Sequence, residues 1–241
     1  MAVVSRFSRV ERLVGEDGLS RLENARVILF GVGGVGSWCA ESLVRSGIGH
    51  LTIVDPDLVD VTNINRQLPA TSSTVGLPKV EVLKERLLTI NPSCQITALR
   101  ERYSAGTKWG LDGFDVVIDA IDSLSDKAAL ILEASASPAA FFSSMGAACK
   151  MDPGQVRVAE FFSVRGCPLG AALRKKLRRE GTLPSKPFMC VYDEEVLPNL
   201  GPEQDPGPGK AVANGTLAHI TGIFGFTLAG LAIREILKDE E

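Results

Sequence analysis

Short apolar runs recur along the first part of the chain, at Arg26–Phe30, His50–Val54, Gln95–Leu99, Asp115–Asp119 and Ala139–Ser143. They combine β-branched or aromatic side chains with a length typical of buried strands. Between most of them, apolar positions follow helical spacing, over Val35–Ser46, Lys79–Ile90 and Ser125–Ser135. Strands alternating with helices predict parallel pairing, with ligands bound at the C-terminal edge of the sheet. Beyond Met145 the pattern changes. Gln155–Phe162 alternates like a strand, Pro168–Glu180 predicts a basic helix, and Phe188–Tyr192 predicts another short strand. Leu197–Gly209, with Pro198, Pro202, Pro206 and Pro208, predicts a loop. The last apolar run, Ile220–Ile233, is too short for a bilayer and broken by glycines, so a buried or dimer-interface helix is expected.

The fold class this implies is α/β: a doubly wound, mostly parallel Rossmann-like sheet, with a C-terminal extension of a few antiparallel strands and helices. One domain over residues 1–241 is expected, with an N-terminal helical segment at 1–24 and a substrate and dimerisation portion at 150–241. At 241 residues with 45% hydrophobic content, such a chain can bury a full core.

The first strand runs into a glycine-rich turn, GVGGVGS, and then a helix. Gly31, Gly33 and Gly36 permit a sharp turn, close backbone approach to phosphate oxygens and tight helix–strand packing. The helix start adds free N–H groups and a positive dipole end. Asp55, ending the second strand, stands where an acid reaches a ribose hydroxyl. These features in order predict a nucleotide site.

Charge decides which nucleotide. Asn63, Arg66 and Gln67 follow the second strand, and Lys79 opens the next helix. A pyrophosphate needs few extra cations, whereas a triphosphate is cradled by them. Asp119 and Asp122 end another buried strand, where carboxylates can hold Mg²⁺ against phosphate oxygens. Each residue alone also fits a plainer role, Arg66 and Lys79 as surface charges and Asp119 as a helix cap. Together on one sheet edge they favour ATP with magnesium. Gly34, Asp57 and Ser123 complete the expected nucleotide-contacting set.

Net charge is −3, so no global field drives the chain toward nucleic acid. The exception is local. Arg174, Lys175, Lys176, Arg178 and Arg179 stand against the single acid Glu180, a patch suited either to an RNA backbone or to a solvated helix face. Aromatic residues nearby are few (Phe161, Phe162, Phe188, Tyr192), favouring recognition of shape and phosphate over base stacking. The five cysteines, Cys39, Cys94, Cys149, Cys167 and Cys190, form no CxxC pair, which argues against a disulfide framework and a four-cysteine zinc site. No apolar signal core opens the chain, and a cytoplasmic protein is expected.

GVGGVGS, IVDPDLVDVTNINRQ, VGLPKVE, the INP at Ile90–Pro92 and DAIDS resemble the adenylating superfamily of ubiquitin-activating enzymes. That group includes bacterial enzymes that activate sulfur-carrier proteins. RFSRVERLVGEDGLSRL, SSMGAACKMDP and CPLGAALRKKLRREG resemble its tRNA threonylcarbamoyladenosine dehydratase branch, and the likeness runs from about Arg6 to Leu237. The resemblance implies ATP-dependent activation of the carboxylate in the threonine part of a modified adenosine beside the anticodon. An internal nucleophile then closes a ring with net loss of water. It implies catalytic roles for Arg66, Lys79 and Asp122, with Asp122, and Asp119 as a second carboxylate, holding Mg²⁺. Arg9 or Arg12 reaching the site of a homodimer partner is also implied.

One departure stands out. Some members of the branch place a cysteine shortly before the last apolar helix, where this chain reads Lys210-Ala211-Val212-Ala213-Asn214. Cys167 and Cys190 lie in family-like segments, but a buried, inert thiol is the commoner fate. His50 and His219 are expected at a strand edge and as a satisfied helix residue. Two further readings stay open: an adenylyltransferase acting on the C-terminus of a sulfur-carrier or relay protein, and a nucleotide-binding RNA adaptor without catalysis. The missing CxxC pairs and the basic helix favour the dehydratase.

Overall fold

The computed structural model describes residues 5–107, 109–201 and 214–238. The rest of the predicted proline-rich loop, from Pro202 onward, and the Lys210–Ala213 stretch lie outside them. Strands β1 (Arg26–Phe30), β2 (His50–Val54), β3 (Gln95–Leu99), β4 (Val116–Asp119), β5 (Ala140–Ser144), β6 (Arg157–Glu160) and β7 (Met189–Tyr192) form one sheet in the order β3-β2-β1-β4-β5-β7-β6. Every pairing is parallel except β6 with β7. The C-terminal strands therefore extend the same sheet, since β7 pairs parallel to β5 through Phe142–Met189 and Ser144–Val191.

Helices α1 (Ser8–Asn24), α2 (Gly36–Arg45), α3 (Lys79–Ile90), α4 (Leu124–Ala136), α5 (Pro168–Arg179) and α6 (Ala218–Ile236) cover both faces. Residue alternation along β1 explains the two layers. Val27 and Leu29 point into a core with Leu43, Leu83 and Phe224, whereas Ile28 and Phe30 point into one with Ile131, Phe161 and Leu173. Full burial of each such side chain stabilises the fold by about 1.5–3 kcal/mol.

Helix α6 resolves the last apolar run. Ile220, Phe224, Leu228 and Ala232 are buried at spacings of one turn, against the layer that holds α2. Phe226 points the other way, half exposed, with its ring edge-on to Trp38 at 5.9 Å. Among the described residues, no helix is long and apolar enough to cross a membrane.

Candidate active site

The C-terminal edge of the parallel sheet gathers most of the residues singled out in the sequence. β1 runs straight into Gly31, whose φ of +86° is left-handed and whose added Cβ would lie 2.7 Å from the Ala120 carbonyl oxygen. Gly36 starts α2 so close to this turn that a Cβ there would fall 1.8 Å from the Gly31 carbonyl oxygen. No side chain fits between strand and helix at that point. Ser37 closes the loop by donating from both N (3.1 Å) and Oγ (2.7 Å) to the Gly33 carbonyl.

Asp55, at the end of β2, fixes the turn from the side. Its Oδ2 accepts from the Val32 N–H at 2.8 Å and its Oδ1 from the Asp57 N–H at 2.9 Å. Burial pushes its pKa up, against the opposing pull of Lys79 and of these two amides. Lys79 is buried except for a sliver and pairs with the exposed carboxylate of Asp57 at 2.8 Å, while its N–H bonds the Asp57 carbonyl at 3.0 Å.

The loop after β2 folds back over the glycines. Asn63 Oδ1 accepts from the Asp60 N–H at 3.1 Å, closing a capping box that shapes the short turn Val61–Asn63. That turn delivers Arg66 and Gln67. The Arg66 stem lies beside Gly34, 3.4 Å from where a Cβ would stand, and its Nη1 donates to the Thr62 carbonyl and Asn65 Oδ1. Gln67 Nε2 lies 3.6 Å from the Cβ position of Gly33, and its buried Oε1 has no partner. A cradle free of side chains with two cations beside it is what a phosphate chain would occupy, and the orphaned amide oxygen, an acceptor, is open to a hydroxyl or amino donor.

The aspartate that ends β4 and the one three residues beyond it part company. Asp119 is fully buried, paired with Lys127 Nζ at 2.8 Å, and accepts from Ser143 Oγ (2.7 Å) and the Ile121 N–H (3.0 Å). It caps no helix, and its oxygens are committed inside the core, so the expectation that it faces nucleotide or metal is corrected. Asp122 is exposed, and Ser123 is the half-buried residue preceding α4, its hydroxyl making no capping bond. Among the described residues, no three His, Cys, Asp or Glu side chains group to hold a metal.

The basic helix also divides. Arg174 turns inward, donating to the Phe161 carbonyl at 3.1 Å with its guanidinium 5.9 Å from the Phe161 ring centre. Lys176 pairs with Glu180 at 2.6 Å. Lys175, Arg178 and Arg179 remain exposed, around a seam of buried Leu173 and Leu177. Of the cysteines, Cys39, Cys94, Cys167 and Cys190 are buried. Burial pushes Cys94 up to about 11 and Cys190 well above the ordinary thiol range. Cys149 is partly exposed, on left-handed backbone at φ +59°. His50 opens β2 in register with Arg26, and His219 Nε2 lies 2.9 Å from the Met151 carbonyl oxygen, the satisfied role expected.

Sequence reading missed Lys127 and the residues that brace Arg66. Trp38 Nε1 donates to the Arg66 carbonyl at 3.1 Å, and Thr221 of α6 packs at Gly34. The signal for Lys127 was available: a lysine on the same face of α4 as Leu130, Ile131 and Ala134.

A mostly parallel doubly wound sheet with a glycine turn, a side-fixed acid and cations at its switch edge defines a nucleotide-binding α/β protein. The chain belongs to the ThiF family, whose family model matches residues 7–241. It is 37% identical to the tRNA threonylcarbamoyladenosine dehydratase of Bacillus subtilis over 99% of this chain and 97% of that protein. It is 34% identical to the protein of that name from Escherichia coli, over 96% and 93%. The crystal structure of the E. coli dehydratase, TcdA, in complex with AMP superposes with a TM-score of 0.85 at 35% identity, covering 98% of this chain and 97% of that one. The ATP complex of TcdA gives a TM-score of 0.82.

Proposed function

We propose that this protein is an ATP-dependent tRNA threonylcarbamoyladenosine dehydratase, acting in the cytoplasm as a homodimer. The observation that bears most of the weight is the glycine cradle, with Arg66 and Gln67 folded over it and Lys79 at its side. Relatives similar over nearly their whole length bear the dehydratase name, and TcdA has been seen with ATP and with AMP.

In this reading the Gly31–Gly36 backbone and the start of α2 bind the phosphates, with Asn63 supporting the loop above them. Asp55, whose oxygens keep lone pairs beyond their two amide bonds, receives a ribose hydroxyl. Gln67 turns its Nε2 donors to a phosphate or to the glycine loop, and its orphaned Oε1 accepts from a hydroxyl or amino group of the nucleotide. Arg66 and Lys79 offset charge developing on the phosphates as a carboxylate oxygen of the modified nucleoside attacks. Lys79 already has one carboxylate neighbour in Asp57, which sets its position before ligand arrives. Asp122 is the open carboxylate suited to Mg²⁺, which would take its other ligands from phosphates and water. When bound, that ion supplies positive charge to the phosphate oxygens. Ring closure on the activated carboxyl is intramolecular, so holding the modified nucleoside still supplies much of the acceleration.

The tRNA backbone would lie along Lys175, Arg178 and Arg179, within the C-terminal portion at 150–241. Arg9 or Arg12, both exposed on α1, would reach toward the site of a second protomer. A second reading has one observation behind it: 37% identity to the molybdopterin-synthase adenylyltransferase of Salmonella typhimurium over half of this chain. It would make a sulfur-carrier or relay protein the partner.

The test is incubation with Mg²⁺, ATP and threonylcarbamoyl-modified tRNA, followed by mass analysis of the nucleoside. A nucleoside lighter by one water, only with ATP present, is expected. ATP consumed with an unchanged nucleoside would move the assignment to the sulfur-carrier reading.

A further inference from the structure

Lys127 sits on the inward face of α4 among Ala128, Leu130, Ile131 and Ala134, with none of its side chain exposed. Taking an ammonium out of water is costly, and a leucine would fill similar volume without that cost. A leucine would not, however, bond the backbone of the neighbouring turn. Lys127 Nζ lies 2.8 Å from the Ile121 carbonyl oxygen and 2.8 Å from Asp119 Oδ2. Asp119 also accepts from Ser143 Oγ at 2.7 Å and from the Ile121 N–H at 3.0 Å. The Lys127 N–H itself bonds the Ser123 carbonyl at 2.9 Å.

The Lys127 side chain and its partner thus hold the segment at the Asp119 carboxylate and at the amide and carbonyl of Ile121, while the bond to Ser123 is the backbone bond that opens α4. The same segment presses on the glycine turn, because the Ala120 carbonyl occupies the space where a Cβ of Gly31 would be. It also bears Asp122, the exposed carboxylate three residues beyond the buried one.

We propose that Lys127 is a positioning residue of the nucleotide site. Its ammonium locks the Asp119–Ser123 segment against Gly31 and cancels the charge of Asp119 inside the core. Asp122 is left as the segment's open carboxylate, in a fixed place. This rests on the reading of that edge as an ATP site with Asp122 at magnesium. Lys127 touches neither nucleotide nor metal; it acts through the peptide it holds.

Two variants separate positioning from simple stability. Lys127→Met strands a buried carboxylate and is expected to melt at lower temperature. Lys127→Met combined with Asp119→Asn buries no charge and is expected to melt near the wild type. In that double variant, calorimetric ATP titrations at stepped Mg²⁺ should show the half-saturating Mg²⁺ concentration raised ~10–100-fold. A folded double variant with wild-type Mg²⁺ dependence overturns the proposal.

If the double variant does not fold, hydrogen exchange on the wild type decides. Protection of the Ile121 amide, which donates to Asp119 Oδ1, is expected before ATP is added. Rapid exchange that slows only with ATP would mean that ligand, not Lys127, orders the segment, and would overturn the proposal. A wild type that binds no ATP would instead remove the nucleotide reading, with the exchange result still judging what Lys127 holds.

Discussion

The glycine-turn edge and helix α5 both present clustered cations, yet the two clusters are built differently. At the turn, Arg66 and Lys79 are positioned by backbone: a capping box delivers one, and the Asp57 carbonyl and carboxylate fix the other. On α5, five cations share one short helix, and one contact from outside the helix and one i, i+4 pair along it sort them afterwards. Arg174 goes to Phe161, Lys176 goes to Glu180, and Lys175, Arg178 and Arg179 stay in solvent. A site that must stabilise charge at one point needs preorganised groups. A surface that tracks a polyanion needs only a density of free ones.

The largest effect should come from Gly36→Ala. The new methyl would stand 1.8 Å from the Gly31 carbonyl oxygen, so strand and helix must part. A stability loss of about 1–3 kcal/mol or more, with loss of ATP binding, is expected in melting and calorimetry. A variant that binds ATP normally would mean that the close contact does not shape the cradle.

Lys79→Ala comes next. Its direct partner Asp57 is well exposed, and buried Asp55, which also feels Lys79, keeps its two amide bonds, so the fold should persist. ATP turnover should fall by about 10²–10³-fold. Wild-type turnover from a well-folded Lys79→Ala would reduce the turn's cations to surface charges.

On α5, the comparison sharpens within a single helix. Neutralising Lys175, Arg178 and Arg179 together should flatten the log–log salt dependence of tRNA binding by about 2–3 units. Arg174→Ala should leave that slope nearly unchanged and lower the melting temperature instead, because its guanidinium bonds Phe161. Equal slopes for both would erase the distinction between inward and outward cations.

The smallest effect concerns pH. Burial raises the pKa of Asp55 in the folded protein above its unfolded value. The native state therefore binds that proton more tightly, and the contribution to stability, complete below the unfolded pKa, is lost as pH rises through the folded one. Melting temperatures across the acid range should show the wild type losing ground to Asp55→Asn as pH increases. A flat difference would mean that Asp55 titrates normally.

Much of this architecture was legible in the chain because it is local. The strands at Arg26–Phe30, His50–Val54 and Gln95–Leu99 and the helix Lys79–Ile90 begin and end where the apolar pattern says. The glycine spacing dictates a turn whose geometry needs no distant partner. The fate of Asp119 was not legible. It differs from Asp122 only by facing the core, where Lys127 and Ser143 from two other elements meet it. Likewise Arg174 reads as part of one basic patch until Phe161, from outside the helix, claims it, whereas the Lys176–Glu180 pair follows from i, i+4 spacing alone. Position along a strand or helix can be read from period, whereas ion pairing across elements depends on tertiary placement.

The most direct test of the account follows an atom. If the modified nucleoside's carboxylate is activated at the nucleotide edge, one of its oxygens must leave with a phosphate when the ring closes. With that carboxylate labelled by ¹⁸O and unlabelled ATP, the account predicts one ¹⁸O per turnover in the nucleotide or phosphate product. Ring closure with the label released into water, and none on phosphorus, would contradict it.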